Sequence, residues 1–330
     1  MKIAMIGPGS WGTAIGRLYA LRGNEVVFYS NDEKFLSMNK THINEYFHPN
    51  VVLPSSMSVT LDMDEALKDA DTIVFSVPSL AYRKVARQVD SSLDHKVHIV
   101  STAKGFDPTD FSTMSSVLRS EISPSKRYEI VSLIGPSYAS EVIRDKITCI
   151  SSVSPDIDEA RYVQDTLSNP RFRIYTNTDE IGAECSAALK NVIAIAAGIL
   201  EGLGEGDNAK AAIVTRGIAE IQRFAIAMGG RQETFLGLSG IGDLMLTCNS
   251  MQSRNYSLGY RIGKTDDARE VLENNTKTVE GVETSRNVLH IAERLGIEMP
   301  ITQSVKEVLF DNAKPSLKTN ELMTRTPKSE

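Results

Sequence analysis

The chain opens with a short apolar run, "KIAMI" (2–6), that stops at a glycine. Similar runs return as "EVVFY" (25–29), "TIVFSV" (72–77), "VHIVST" (97–102), "EIVSLI" (129–134) and "ITCISSV" (147–153). They are rich in β-branched residues and bounded by turn formers, which predicts buried strands. Between most of them lie helix-length segments such as Trp11–Arg22, Leu80–Val89 and Thr113–Glu121. This alternation predicts an α/β fold: a doubly wound, Rossmann-type parallel sheet with helices on both faces. The stretch 31–70, with its "HPNVVLP", breaks the rhythm and reads as an irregular excursion over the sheet edge.

From about Asp179 the strand pattern ends. Helical periodicity takes over at 180–201, 208–228, 233–248, 268–274, 281–296 and 301–312. A length of 330 residues is too great for one core. The expected division is a dinucleotide-binding domain at 1–180 and an all-helical substrate and catalytic domain at 181–330. "GLGEGDN" (202–208) reads as a flexible link, with Asp207 or Asn208 capping the next helix. The closing "PSLKTNELMTRTPKSE" carries no informative motif.

The first strand runs into "GPGSWG", in which Gly7, Gly9 and Gly12 fit the spacing GxGxxG. After a strand and before a helix, that spacing predicts a dinucleotide site. The first glycine allows the tight turn, the second lets the backbone approach a pyrophosphate, and the third lets helix and strand pack closely. The pyrophosphate then sits over the helix N-terminus. Cofactor choice is read at the end of the second strand, where the chain has "YSND", Tyr29 to Asp32. Ser30 and Asn31 are neutral, Asp32 comes slightly late and no arginine adjoins, so NAD and NADP both stay open. Two later strands also end in glycine-containing loops. One carries Lys104 in "STAKGF"; the other carries Gly135, Ser137 and Ala139 in "GPSYASEV". Ligands of open α/β sheets bind at the carboxyl ends of strands. A solvated loop lysine is the plain alternative for Lys104, and Ser137 is also a candidate N-cap.

In "CSAALKNVIAIAAG" (185–198), Lys190 lies inside a helix that is apolar all round. Such a helix is normally buried, and a buried ammonium is costly unless paired. Three readings compete: a structural ion-pair partner, a snorkelling surface lysine and a proton donor. Later, "GIGDLMLTC" sets Asp243 and Thr247 four apart on one helical face, "SRN" places Ser253, Arg254 and Asn255 in a loop, and "TVEG" supplies Glu280. Singly, each has a plain reading as a cap or solvated charge.

Composition is that of a soluble globular enzyme, with 41% hydrophobic and 24% charged residues. Net charge is −6 with no basic stripe, which argues against nucleic acid. Cys149, Cys185 and Cys248 are far apart and odd in number, so neither a disulfide framework nor a zinc site is expected. His95 and His98 read as a surface pair, and no metal is expected. The N-terminal apolar run is too short for a signal segment, and the run around Lys190 contains Glu184 and Lys190, so no membrane span is expected. A reducing, cytoplasmic setting follows.

In this order "GPGSWG", "STAKG", "GPSYASE", "LKNVIAIAAG", "NAKAAIVTRG", "GIGDLMLTC", "SRN" and "VEG" resemble the motif series of bacterial NAD(P)-dependent glycerol-3-phosphate dehydrogenase, over roughly residues 1–310. The resemblance implies a Rossmann domain followed by a helical domain, with the active site between them. It also implies a homodimer that reversibly reduces dihydroxyacetone phosphate with NADH or NADPH. The product, sn-glycerol 3-phosphate, feeds phospholipid synthesis. By motif, the resemblance makes Lys190 the general acid/base, with Asn191 beside it, and adds Lys104, Asp243 and Thr247 near the reacting carbon. It gives Arg254 and Asn255, with Ser253, to the substrate phosphate, and Gly135 and Ser137 to the substrate. It sets Ser10, Trp11, Asn31, Lys104, Ala139, Arg254, Val279 and Glu280 against the dinucleotide. The family often has histidine or arginine near Asn31, where this chain departs. The residue chemistry agrees: a lysine beside a ketone oxygen can protonate the alkoxide, apolar walls lowering its pKa and Asp243 holding it up. A fork at Arg254 can grip a phosphate. Two other classes stay open, a hydroxy-acid or sugar-nucleotide dehydrogenase and a non-catalytic dinucleotide-binding redox sensor.

Overall fold

The computed structural model describes residues 1–327. The chain divides into two compact units, Met1–Glu180 and a second that begins at Ile181. In the first, eight strands form one sheet: β1 (Lys2–Ile6), β2 (Glu25–Tyr29), β3 (Met57–Thr60), β4 (Thr72–Phe75), β5 (Val97–Ser101), β6 (Arg127–Ile134), β7 (Thr148–Val153) and β8 (Phe172–Asn177). Their spatial order is β3-β2-β1-β4-β5-β6-β7-β8. The direction of winding reverses beside β1, so the glycine-rich turn after β1 lies at the switch point of a doubly wound sheet. Side chains alternate between two cores. Ile3, Met5, Val74 and Val100 face one core; Ala4, Ile6, Ile73 and Ile99 face the other. Burial on both faces explains why these strands read as unbroken apolar runs.

Three features depart from the sequence reading. The excursion 31–70 contains an edge strand, β3, which pairs with β2 from Val26↔Met57 to Tyr29↔Thr60. Strand β7 runs antiparallel to β6, with Leu133 opposite Ser152. It in turn carries β8, whose alternation of buried Phe172 and Ile174 with exposed Arg173 and Tyr175 was not counted as a strand. His98 is half-buried, between the rings of Tyr162 and Tyr128 at centroid distances of 3.6 and 4.3 Å.

The second unit is helical among the described residues. Its central helix, Glu180–Leu203, is buried at every position from Gly182 to Leu200. It is long and apolar enough to cross a membrane, but that apolar window is wholly buried inside the protein, as in a core helix. Helix Arg254–Thr265 crosses it at backbone contact. A β-carbon on Gly198 would lie 2.1 Å from the Tyr256 carbonyl oxygen, and one on Gly259 would lie 2.1 Å from that of Ile195. Only glycine permits this approach. Residues 253–255 are not the loop expected from the sequence: Ser253 caps this helix and Arg254 begins it. The helix expected over 233–248 is broken into a 3₁₀ turn (Gln232–Leu236), a π-type turn (Leu238–Gly242) and a short α-helix (Asp243–Cys248). Gly237, Gly240 and Gly242 weaken the helix there, and Gly240 itself is non-helical. The link after Leu203 is tighter than expected: the next helix is Gly206–Ala227, and its cap is Glu205 rather than Asp207 or Asn208. A further helix, Pro315–Met323, lies in the uninformative tail and is tied down by Asp266, which accepts from the Ser316 amide at 2.8 Å.

The helix crossing gives a direct test. Gly259→Ala should lower unfolding stability by about 1–3 kcal/mol through overpacking. Urea unfolding reads this as a lower midpoint, and an unmoved midpoint would show that the two helices separate at no cost.

Candidate functional site

In the first unit, the candidate dinucleotide residues begin at the turn after β1. Gly7 has φ +105° and donates its N–H to the Tyr29 carbonyl at 3.1 Å. A β-carbon there would meet the Ser76 carbonyl oxygen at 2.8 Å, and one on Gly12 would meet that of Gly7 at 2.3 Å. Gly9 is extended and leads into helix Ser10–Leu21. No side chain caps that helix, and no acidic residue stands in its first turn. Its amino end therefore keeps the partial positive charge and the amide donors that suit a pyrophosphate. Trp11 and Ala139 are both partly buried against the same core.

Sequence reasoning missed what holds this turn from above. Asn44 donates to the Pro8 carbonyl at 2.9 Å and to the Thr13 hydroxyl at 2.8 Å. His48 places Nε2 2.9 Å from the Ser10 carbonyl and 3.3 Å from its hydroxyl. Burial pushes the His48 pKa down, so the ring is neutral near pH 7. The irregular excursion thus clasps the glycine-rich turn. The one sequence signal was a pair of polar residues four apart in a stretch too irregular to need them.

At the end of β2, Asn31 is exposed. Asp32 accepts from the Lys34 amide at 3.1 Å and pairs with the Lys34 ammonium at 2.6 Å, which holds its carboxyl below the usual range. Asp32 is thereby committed to its own turn, and its charge is offset. Lys104 sits in the loop after β5, next to Gly105 at φ +119°. Gly135 follows β6, and the Ser137 hydroxyl donates to its carbonyl at 3.0 Å. Ser137 is not the expected N-cap, because helix Ala139–Val142 begins one residue too late for that; Tyr138 holds the cap position.

A separate group of candidate residues lies in the helical unit. Lys190 is buried and donates to Asp243 and, at 3.0 Å, to the Thr247 hydroxyl; Thr247 donates on to the Asp243 carbonyl at 2.6 Å. Of the three readings, snorkelling is ruled out. Asp243 owes its place to the π-type turn: a β-carbon on Gly240 would lie 2.4 Å from the Phe235 carbonyl oxygen. Such turns recur at functional sites. Beside the lysine, Asn191 donates to Glu280 at 3.1 Å and accepts from Asn255 at 3.0 Å, while Asn255 accepts from the Gly281 amide at 2.9 Å. Val279 is the N-cap residue of helix Glu280–Leu295. Ser253 accepts from the Tyr256 amide at 3.2 Å, so its hydroxyl serves as a cap. The Arg254 guanidinium is half exposed and 3.9 Å from Glu280, a weak surface pair that leaves it available to an anion. Cys248 is buried, and burial pushes its thiol up to about 12, so it is no nucleophile near neutral pH.

Comparison with known proteins gives a consistent result. The model of the NAD-dependent glycerol-3-phosphate dehydrogenase N-terminus matches residues 2–160, and that of its C-terminus matches residues 179–319. The chain is 45% identical over 330 residues to the NAD(P)+ glycerol-3-phosphate dehydrogenase of Enterococcus faecalis, covering 100% of this chain and 97% of that one. It is 44% identical over 330 residues to that of Lactococcus lactis subsp. lactis, with the same coverage. The crystal structure of glycerol-3-phosphate dehydrogenase from Coxiella burnetii superposes with a TM-score of 0.92 at 33% identity, covering 98% of this chain and 99% of that one.

Asn44→Ala should loosen the glycine-rich turn at a cost of about 0.5–1.5 kcal/mol, because two hydrogen bonds are lost while the Pro8 carbonyl keeps the Thr13 hydroxyl as donor. Calorimetric titration should show weaker NADH binding, and unchanged affinity would mean that the clasp does not shape the cofactor site.

Proposed function

The chain belongs to the NAD-dependent glycerol-3-phosphate dehydrogenase family, and from that premise we infer that it reduces dihydroxyacetone phosphate to sn-glycerol 3-phosphate with NADH or NADPH, Lys190 passing the proton. The observation that carries this reading is the buried Lys190, paired with Asp243 and Thr247. The glycine-rich turn and the uncapped start of helix Ser10–Leu21 fit a dinucleotide. By the family resemblance, Gly7, Gly9, Ser10, Trp11, Gly12, Asn31, Lys104, Ala139, Arg254, Val279 and Glu280 would hold it. When bound, the nicotinamide supplies the hydride that reaches the ketone carbon.

The protein's own residues do the rest. The Lys190 ammonium donates a proton to the ketone oxygen as negative charge develops there, and the neutral amine is recharged from water. Apolar surroundings shield the ammonium from water, and Asp243 holds it in place. Thr247 and Asp243 fix the direction of its N–H bonds. Arg254 and Asn255, with Ser253, grip the substrate phosphate, which takes no covalent part and serves to orient the carbonyl. Lys104, Gly135, Ser137 and Asn191 complete the substrate contacts. Asp32, already paired with Lys34, leaves the ribose end tolerant of both cofactors. A cytoplasmic homodimer supplying phospholipid synthesis completes the proposal, resting on the family resemblance.

The test is oxidation of NADH and of NADPH by the purified protein with dihydroxyacetone phosphate, followed at the nicotinamide absorbance band; no turnover with either cofactor would end the reading. Lys190→Ala should lose roughly a hundred- to ten-thousand-fold in turnover. Lys190→Arg keeps a charge opposite Asp243, so it should stay folded yet remain inactive at neutral pH. Near-normal turnover in either variant would remove the acid/base role. Arg254→Ala should raise the Michaelis constant for the phosphate substrate far more than it lowers kcat, and an unmoved constant would take Arg254 out of the phosphate site.

A further inference from the structure

The loop after β5 carries Lys104 through residues 102–113 without regular structure, although a substrate contact needs a fixed position. Its near end is pinned, for Thr102 donates to the Phe75 carbonyl through both its amide (3.1 Å) and its hydroxyl (2.9 Å). Its far end closes on itself: Phe106 bridges Thr113, and the Asp107 amide donates to the Ser112 carbonyl at 2.9 Å. A side chain on helix Ser79–Ser92 ties this far end to the domain. Arg83 reaches buried Asp107 with Nε at 3.2 Å, Asp110 with Nη2 at 2.6 Å and Glu121 with Nη1 at 2.5 Å. Glu121 ends the helix that follows the loop, and Arg87 also holds it, at 2.7 Å. The neighbouring Tyr82 is fully buried, and its hydroxyl lies 2.7 Å from that of Ser101, the last residue of β5. One helix thus grips the chain on both sides of Lys104, through Tyr82 before it and Arg83 after it.

We propose that Arg83 is a positioning residue for the reaction, its three-carboxylate clamp setting the loop that presents Lys104. The proposal rests on the assignment of Lys104 to the substrate site. Without Arg83 the buried Asp107 carboxylate has lost its cation and Asp110 has lost its tether. The loop then reorganises, and Lys104 moves with it while the strands stay in place. Lysine at position 83 supplies one charge but lacks the planar fork that meets three carboxylates at once.

A double-mutant cycle tests this with the full-length enzyme. Lys104→Ala, Arg83→Lys and Arg83→Met are measured alone and combined, each with a thermal unfolding midpoint. Arg83→Met should cut kcat/KM for dihydroxyacetone phosphate by roughly ten- to a hundred-fold, as misplacement of a substrate contact does. Arg83→Lys should fall between, and it serves as the main variant if Arg83→Met does not fold. In the Lys104→Ala background the same change at Arg83 should cost less than about two-fold, because the residue it acts through is already gone. Amide exchange should quicken over 104–113 and stay unchanged in β1 and β4. The same fold loss in both backgrounds would make Arg83 a stability residue only and overturn the proposal, as would full activity in Arg83→Met. Full activity in Lys104→Ala alone is a separate result that removes Lys104 from the site and the proposal with it.

Discussion

An ammonium survives inside an apolar helix only when a carboxylate meets it, and here Asp243 meets Lys190. The surrounding architecture serves that meeting. Helix Glu180–Leu203 must be buried for the lysine to be shielded from water, so its other faces are mostly alanine, isoleucine, leucine and glycine. Asp243 must approach from another segment, and the break in helical geometry at Gly240 lets it. Removing one partner of such a pair costs about 3–5 kcal/mol, far more than an exposed pair. In the proposed reading, stability and chemistry are therefore tied to the same two side chains. A helix with every polar residue removed would pack as well and do nothing.

The glycine-rich turn shows the same economy with neutral groups. Its backbone is bounded on one side by Ser76 and on the other by Asn44 and His48. Those bonds use the carbonyls of Pro8 and Ser10 and leave the amino end of helix Ser10–Leu21 without a side-chain cap. A dinucleotide pyrophosphate is the kind of group that such an end accepts.

Buried charges recur wherever a segment must hold one position. Glu220 accepts from the Ile301 amide at 2.9 Å, the Thr302 amide at 2.8 Å and the Thr302 hydroxyl at 2.7 Å, fixing the start of helix Pro300–Phe310. Burial still pushes the Glu220 carboxyl up, a measure of how little water reaches it. The Arg83 cluster does the same for a loop. In each case the directional bond does what apolar packing cannot, since packing is tolerant of small slides.

The local pattern of the chain was enough for the strands that feed two cores, for the glycine-rich turn and for the helical second half, because these depend on period and on single residues with special backbones. It also singled out Lys190, since a lysine in that helix violates burial unless something pairs it. What it could not supply were relations between distant residues: Asn44 with Pro8, Arg83 with Asp107, Gly259 with Ile195. Short or unusual elements escaped it too. Strand β3 is four residues long, and the break before Asp243 depends on how Phe235 and Gly240 pack. Sequence set the residue types able to do the chemistry, because type is a local property. Only the tertiary structure decided which of them met, because a hydrogen bond or an ion pair requires two groups at one point in space, and separation along the chain says nothing about that.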